Sequence, residues 1–301
     1  MPSFKDVNAM MGDMRRQILV VFLGLGLTAC GESASGGLTK LWELPGFENP
    51  ESVLPSADAS VLYVSNVTGA PDKKDGVGFI SKMSPDGKMI TLKWVEGLDA
   101  PKGMALHGGK LYVSDIDQLV EIDVAGGKVA NRYPGAGAKF FNDLAVDKDG
   151  RIYVSDMAAN KIWRLDGGKF EVWLDSAALK NPNGLLVQGD NLIVAAWGVM
   201  TDGFATKVPG NLLTVSLADK SVKDLGNGKP VGNLDGLEPF HGDYLVSDWM
   251  VGKVFKITAA GDATLLAELK PGTADLGYIP ATRMMFLPMM NDGKVVAYKM
   301  E

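Results

Sequence analysis

The sequence predicts an all-β protein folded as a six-bladed β-propeller, and three observations lead to this prediction. A string of apolar and small residues recurs six times, as YVSN (63–66), YVSD (112–115), YVSD (153–156), IVAA (193–196), LVSD (245–248) and MFLP (285–288). The copies start 49, 41, 40, 52 and 40 residues apart. Each lies among further short strand-forming segments, with no convincing helix between them. Four strands in a repeat of about forty residues are typical of propeller blades.

Each repeat begins with a hairpin, as the third one illustrates. The apolar segment 144–146 (LAV) precedes the polar turn 147–150 (DKDG), and the string YVSD follows. Short polar turns between apolar runs favour β-hairpins. Two more strand-forming segments complete the repeat, at 161–165 (KIWRL) and 170–174 (FEVWL). The repeat therefore supplies four strands, counted from the axis outwards.

The last blade is predicted to be completed by the other end of the chain. The sixth repeat ends with 295–298 (VVAY), which leaves no room for a fourth strand. Residues 39–44 (TKLWEL) resemble the outer strands of other repeats, and we expect them to fill that place and remove an exposed sheet edge. Residues 38–301 are therefore predicted to form one propeller domain.

The N-terminal residues have the features of a bacterial export signal. Arg15 and Arg16 precede the apolar run 18–27, which is too short to span a bilayer. The four residues 27–30 (LTAC) resemble a lipobox, so residues 1–29 are predicted to be a signal peptide and Cys30 to carry a lipid. The alternative is an ordinary signal with a chance cysteine. Met14 is a second possible start of translation, because the polar residues before it add nothing to a signal.

The predicted location follows from the residues after the lipidated cysteine. Gly31 occupies the position where an Asp usually retains lipoproteins in the inner membrane, so we expect the protein on the periplasmic face of the envelope, at the outer membrane. Residues 31–37 (GESASGG) are expected to form a flexible tether.

Composition limits the partners. The chain of 301 residues is 46% hydrophobic and carries a formal charge of −6, with a pI of about 5.1. Such a surface would on average repel nucleic acid and an anionic membrane face. We therefore expect no nucleic-acid partner, membrane attachment only through the lipid anchor, and a monomer.

One repeat position is predicted to line the channel mouth. It lies 11 to 13 residues before the central Val or Phe of each repeated string, at the start of each innermost strand. Innermost strands surround the axis of a propeller, so these six side chains should converge at one end of the channel. We call them the ring: Glu51, Lys102, Asn142, Asn183, Asp235 and Asp275.

The motifs around the ring resemble those of a known family. The segments 142–144 (NDL), 182–185 (PNGL), 235–237 (DGL) and 50–52 (PES) are similar to motifs of the senescence-marker-protein/gluconolactonase family, and more distantly of diisopropylfluorophosphatase and the paraoxonases. The resemblance covers residues 38–301. It implies a calcium-dependent hydrolase of a lactone or related ester, with the metal held by Glu51, Asn183, Asp235 and Asn142.

The chemistry of these residues agrees with that implication. Calcium prefers carboxylate and amide oxygens, and a divalent cation can polarise a lactone carbonyl. Asp235 or a metal-bound water would act as the base. Lys102 departs from the family pattern: it could pair with Asp275 or Glu51 and weaken metal binding, or stabilise a developing oxyanion. Asn142, Lys102 and Asp275 are the expected substrate contacts, together with Trp197, for which blade packing is an equal alternative.

Other interpretations stay open. Asn-Gly and Asp-Gly are also ordinary turn sequences, so the ring has a purely structural alternative. Its functional alternative is a non-catalytic propeller that binds a small ligand or a protein, and a third is an assembly scaffold. The repeated Ser-Asp ends of the second strands are interpreted as hydrogen-bonding residues. His107 and His241 fall at the end away from the ring, whereas insertions at 66–78 and 198–210 are predicted to face each other over it.

Overall fold

A computed structural model describes residues 33–34 and 37–301. Within them, the strands form six antiparallel sheets, each with its first strand on the inside, and this confirms the predicted six-bladed propeller. The helices are short 3₁₀ turns at Met157–Ala159, Ala177–Leu179 and Met290–Asp292. In this part of the chain no helix has the length and apolar character needed to cross a bilayer. Cys30 and the predicted signal lie outside the described residues.

The strands are numbered from the N-terminus. Two precede the first blade: β1 (Ser33–Ala34) and β2 (Leu38–Pro45). Blade one contains β3 (Pro50–Pro55), β4 (Leu62–Asn66), β5 (Gly78–Met83) and β6 (Met89–Leu98). Blade two contains β7 (Pro101–His107), β8 (Lys110–Asp115), β9 (Gln118–Asp123) and β10 (Lys128–Pro134). Blade three contains β11 (Phe141–Val146), β12 (Ile152–Asp156), β13 (Lys161–Asp166) and β14 (Lys169–Asp175).

The second half repeats this order. Blade four contains β15 (Pro182–Gln188), β16 (Asn191–Ala196), β17 (Leu212–Ser216) and β18 (Val222–Asp224). Blade five contains β19 (Leu234–Phe240), β20 (Asp243–Asp248), β21 (Lys253–Ile257) and β22 (Ala263–Glu268). Blade six contains β23 (Gly277–Ile279), β24 (Met284–Met289) and β25 (Lys294–Met300).

The core lies between blades. The second strands are almost completely buried, whereas the outermost strands are largely exposed. Each large hydrophobic cluster joins two neighbouring blades, and one of them packs Val53 and Val64 of blade one against Phe286 and Val295 of blade six. The apolar contacts therefore continue across the junction between the two chain ends.

Strand β2 supplies the outermost strand of blade six. It pairs antiparallel with β25, from Leu38 opposite Met300 to Pro45 opposite Lys294. Trp42 also reaches blade one, where its Nε1 donates to the Pro85 carbonyl at 3.1 Å. Strand β1 adds a fifth strand to the outer edge of blade five by pairing with β22.

The ladder between the first and second strands is interrupted near the ring. In blades one to five the register shifts after the first pair, for example between Pro182 and Leu185 in blade four. Serines of the second strands accept hydrogen bonds from backbone amides there. The Ser65 hydroxyl accepts from the Ser52 amide at 3.0 Å, and the Ser155 hydroxyl accepts from the Asp143 amide at 2.9 Å.

The carboxylates that follow those serines bind neighbouring loops. Asp115 accepts from the backbone amides of Asp99 and Ala100, and Asp156 accepts from those of Lys139 and Phe140. The interpretation of the repeated Ser-Asp pairs as strand-end hydrogen-bonding residues is confirmed.

Candidate functional site

The ring residues occupy equivalent places in the structure. In blades one to five each is the second residue of the innermost strand, and Asp275 lies two residues before β23. Five of the six are buried, with exposed fractions of 6% or less: Glu51, Lys102, Asn142, Asn183 and Asp235. We call the end of the propeller where they lie the ring face. Asp275 also joins blades six and one, because its amide donates to the Glu51 carbonyl at 2.9 Å and its carboxylate accepts from the Ser52 hydroxyl at 2.5 Å.

Neighbouring innermost strands approach one another closely just below the ring. The position after the ring residue is glycine in blades two, four and five. A Cβ atom on Gly184 would lie 2.1 Å from the Asp235 carbonyl oxygen, and one on Gly236 would lie 2.4 Å from the Leu276 amide nitrogen. No side chain fits in those places. The repeated glycines therefore allow ring side chains of adjacent blades to come together.

Four carboxyl groups share this buried region. Burial and the charges of Asp235 and Asp275 raise the pKa of Glu51 well above its usual value. Burial and the charge of Asp275 also raise the pKa of Asp235 well above its usual value. A hydrogen bond from the Asn183 side chain partly offsets this rise. Burial raises the pKa of Asp275 to about 7. The fourth is Asp143, whose pKa burial and Asp275 also raise. Burial and mutual repulsion thus disfavour the ionised forms of these groups, and a bound cation would lower their pKa values and favour the carboxylates.

Two buried oxygens in the ring have no hydrogen-bond partner, Oε2 of Glu51 and Oδ1 of Asn183. Unsatisfied buried polar atoms are uncommon and costly in folded proteins. A carboxylate and an amide oxygen are ligands that calcium prefers, so these residues fit a calcium ion. Among residues 33–34 and 37–301, no group of three or more His, Cys, Asp or Glu side chains is arranged so that these side chains alone could hold a metal ion. The candidate donors here include the amides of Asn142 and Asn183.

Lys102 does not pair with Asp275 or Glu51. Its ammonium group donates to the carbonyl oxygens of Pro71 at 3.0 Å and Ala100 at 2.9 Å. It also lies 4.5 Å from the centre of the Phe140 ring. Burial lowers its pKa, and the Glu51 charge opposes that shift. Because Pro71 belongs to the insertion at 66–78, Lys102 fixes that loop at the ring.

An aromatic cluster borders the other side of the ring. Trp197 is 4% exposed and packs in one cluster with Phe140 and Met157. Its Nε1 donates to the Phe204 carbonyl at 2.8 Å, so the indole holds the second insertion in place. Trp197 therefore packs as a supporting residue, while its neighbours Phe140 and Met157 contact the ring through Lys102 and Asn142.

Two acidic residues of the channel had no assigned role in the sequence. Asp143 accepts from the Leu185 and Leu144 amides at 2.6 and 2.7 Å, which ties blade three to blade four. Glu238 lies lower in the channel, where burial and Asp275 raise its pKa to about 8. Both line a cavity of about 220 Å³ on the axis. Their signal in the sequence was a second polar or charged side chain in the innermost strand, beside Asn142 in β11 and Asp235 in β19.

The two histidines lie far from the ring. His107 pairs with Lys110 beside the turn of blade two, and His241 lies in the corresponding turn of blade five. Both turns are at the end opposite the ring face, as the sequence predicted.

The channel acids give a testable pH dependence. In the unfolded chain Asp275 and Glu238 lose their protons near the usual acid pKa of about 4, whereas in the folded chain they keep them up to their raised pKa values. At a pH between these values, the folded chain therefore binds more protons than the unfolded chain. We therefore expect the free energy of unfolding in chelator to fall as pH rises from about 5 to 8, by at most about 1.4 kcal/mol per pH unit for each group. Denaturant titrations would measure it. Glu238→Gln should reduce the slope, and a stability that rises over this range would contradict the assignment.

Comparisons with known proteins find similarity in structure alone. Neither the models of known protein families nor the curated proteins gave a match. Among solved structures, a gluconolactonase from Xanthomonas campestris has 16% identity and a TM-score of 0.65, with 88% of this chain and 89% of that one covered. A second, provisionally assigned gluconolactonase has 18% identity and a TM-score of 0.62, covering 91% and 94%.

A different activity appears on the same fold. Virginiamycin B lyase from Staphylococcus aureus has 13% identity and a TM-score of 0.59, with 88% of this chain and all of that one covered. At identities this low, the structural similarity establishes the fold only, and the activity has to be argued from the residues of the site. This chain therefore has the six-bladed β-propeller architecture that gluconolactonases share with virginiamycin B lyase.

Proposed function

We propose that this protein is a calcium-dependent hydrolase of a lactone or related ester, held on the bacterial envelope by a lipid on Cys30. The observation that carries the proposal is the pair of unpartnered buried oxygens on Glu51 and Asn183, beside carboxyl groups whose pKa values are raised. The gluconolactonase neighbours support the choice of a lactone as substrate.

Glu51, Asn183 and Asp235 would hold the ion, with Asn142 as a further ligand or a substrate contact. When bound, calcium would supply a positive charge that polarises the substrate carbonyl. This charge would also favour the ionised form of Asp235, whose pKa is otherwise raised by burial and by Asp275.

The protein's own groups would then carry out the proton transfers. Asp235 accepts a proton from the attacking water and returns it to the ring oxygen of the lactone as the C–O bond breaks. Lys102 contributes a fixed positive charge near the developing oxyanion, because its carbonyl partners hold the ammonium group in place. Asp275 and Asn142 would orient the substrate at the ring face.

The test of metal binding is the melting temperature. Calcium that binds only the folded ring should raise it, and chelator should lower it, because ligand binding stabilises the native state by mass action. Glu51→Gln should reduce the calcium-induced shift, since it neutralises a carboxylate with an unpartnered oxygen. Glu171→Gln, on the exposed outer strand of blade three, is the matched control and should keep the full shift. An identical melt in excess calcium and in chelator would contradict the proposal.

The alternative is a propeller that binds a ligand without chemistry. The buried Lys102 ammonium favours it, because a fixed positive charge near the ring could replace a metal ion. A panel of lactones and esters distinguishes the two functions. Product analysis separates them from the lyase reaction as well, because hydrolysis gives a hydroxy acid whereas elimination gives an alkene.

A further inference from the structure

A cavity of about 220 Å³ lies on the axis beneath the ring, and we call it the axial cavity. In blades one to five its wall begins one or two residues beyond the ring position, at Ser52, Met104, Asp143, Leu185 and Leu237. Asp275 is the ring residue that also belongs to the wall. The axial cavity is therefore a separate space from the candidate calcium site, and Asp275 borders both.

The axial cavity opens at the end opposite the ring face. Its wall residues nearest the ring are buried, as Ser52 and Met104 illustrate. The wall residues farthest from the ring are half-buried in each of the first four blades: Leu54, Leu106, Val146 and Val187. Exposure thus increases along each strand away from the ring. A ligand would enter from that end without passing the ring residues.

Glu238 is an acid of this cavity without a cationic partner. No Lys, Arg or His is among the wall residues that the structure describes. The carboxylate of Asp143 accepts from two backbone amides, and that of Asp275 accepts from the Ser52 hydroxyl. In the described part of the chain, Glu238 has one such contact, with the Tyr278 backbone amide. Its carboxyl group therefore keeps hydrogen-bonding capacity for a ligand.

The composition of the walls favours an organic cation over a metal ion. Most wall residues are Leu, Val, Ala or Met. Calcium takes about six to eight oxygen ligands, which such walls do not offer. An apolar cavity of about 150 Å³ can hold benzene, so the axial cavity is large enough for a small organic molecule. A cation with an apolar body matches both the carboxyl group of Glu238 and the walls around it.

We propose that the axial cavity binds a small alkylammonium ion that enters from the end opposite the ring face. Its ammonium group would donate to the Glu238 carboxylate, and its alkyl chain would contact Leu54, Leu106 and Val187. Three strand residues span about 10 Å, which accommodates a chain of about four carbons. The pKa of Glu238 is raised to about 8, so at neutral pH this residue releases its proton to solvent when it binds the cation. The site does not depend on hydrolysis at the ring.

The test measures the binding of n-butylammonium to the full chain by isothermal titration calorimetry, at pH 8 and in chelator. 1-Butanol is the uncharged comparison, because it has the same alkyl chain. We expect butylammonium to bind at least about tenfold more tightly than butanol, since hydrogen bonds between charged groups are stronger than those between neutral groups. Glu238→Gln should remove that difference. Glu171→Gln, on the exposed outer strand of blade three, is the matched control and should retain it.

The affinity for butylammonium should also depend on pH. It is expected to rise about tenfold between pH 6 and 7 and to level off above pH 8, as Glu238 becomes ionised. Glu238→Gln should flatten most of this rise. Asp275 ionises at about pH 7, and Asp143 and Asp235 also have raised pKa values, so the rise that remains in Glu238→Gln is their share. Titrations in two buffers with different ionisation enthalpies would measure the released proton.

Three results would overturn the proposal. The first is equal affinity of the unmodified chain for butylammonium and butanol, a comparison that does not require any variant to fold. The second is binding that is lost in Glu51→Gln but kept in Glu238→Gln, because it would place the cation at the ring. The third is the absence of binding. None of these results would affect the proposed hydrolase, whose calcium-induced rise in melting temperature is measured separately.

Discussion

Replacing Asp235 by Asn is expected to abolish lactone hydrolysis, with a loss of at least about 100-fold in kcat. The amide keeps the shape of the side chain but is a poor base, and it contributes no negative charge to the metal ligands. The replacement should also raise the melting temperature in chelator at neutral pH. The reason is that Asp235 lies buried beside Asp275, where its charge is unfavourable. Loss of activity together with a gain in stability is the pattern expected of a functional carboxylate.

The control for this prediction is Asp262→Asn, which makes the same chemical change in an exposed turn of blade five. It should leave both the activity and the melting temperature unchanged. If Asp235→Asn kept its activity, Asp235 would not be the base. If the parent were inactive on the whole lactone and ester panel, the binding function would be favoured over catalysis.

Removing strand β2, by starting the chain at Gly46, should destabilise the propeller more than any single substitution at the ring. The deletion takes away the pairing with β25, the buried Leu38 and the packing of Trp42 and Leu44 against blades six and one. Burial of one such side chain contributes about 2 kcal/mol, so the loss is expected to exceed about 5 kcal/mol. Strand β25 would also become an exposed edge, which favours aggregation.

Thermal and denaturant unfolding would measure the effect, and a chain that starts at Leu38 is the matched control. That control lacks β1 but keeps β2, so it should melt like the full domain. If the chain that starts at Gly46 melted at the same temperature as the control, the outer strand of blade six would be dispensable and the predicted closure would not contribute to stability.

The architecture was predictable because the propeller repeats one local pattern six times. The string around Val64, Val113 and Val154 fixes where second strands lie, and a constant offset from it fixes the start of each innermost strand. The ring positions therefore follow from counting residues. Similarly, the turn positions of His107 and His241 follow from the order of strands in each repeat.

Features that depend on contacts between repeats were not predictable in this way. Pairing with Asp275 or Glu51 was one of two alternatives for Lys102, but its bond to Pro71 depends on the path of the insertion at 66–78, which the repeat pattern does not determine. The role of Asp143 in joining two blades depends on the interrupted ladder, because a register shift changes which residue faces the channel. A one-dimensional pattern contains neither piece of information.

The pairing of the two chain ends in blade six has a consequence for how the molecule is made. A ribosome releases Leu38 long before Met300, so β2 has no partner while more than two hundred residues are still being synthesised. Contacts this distant in sequence form slowly. The first five blades can assemble in order as they emerge, but the circle cannot close until translation ends. Until then, a bound chaperone would meet an open, incompletely stabilised chain, which is easier to keep unfolded than the finished domain.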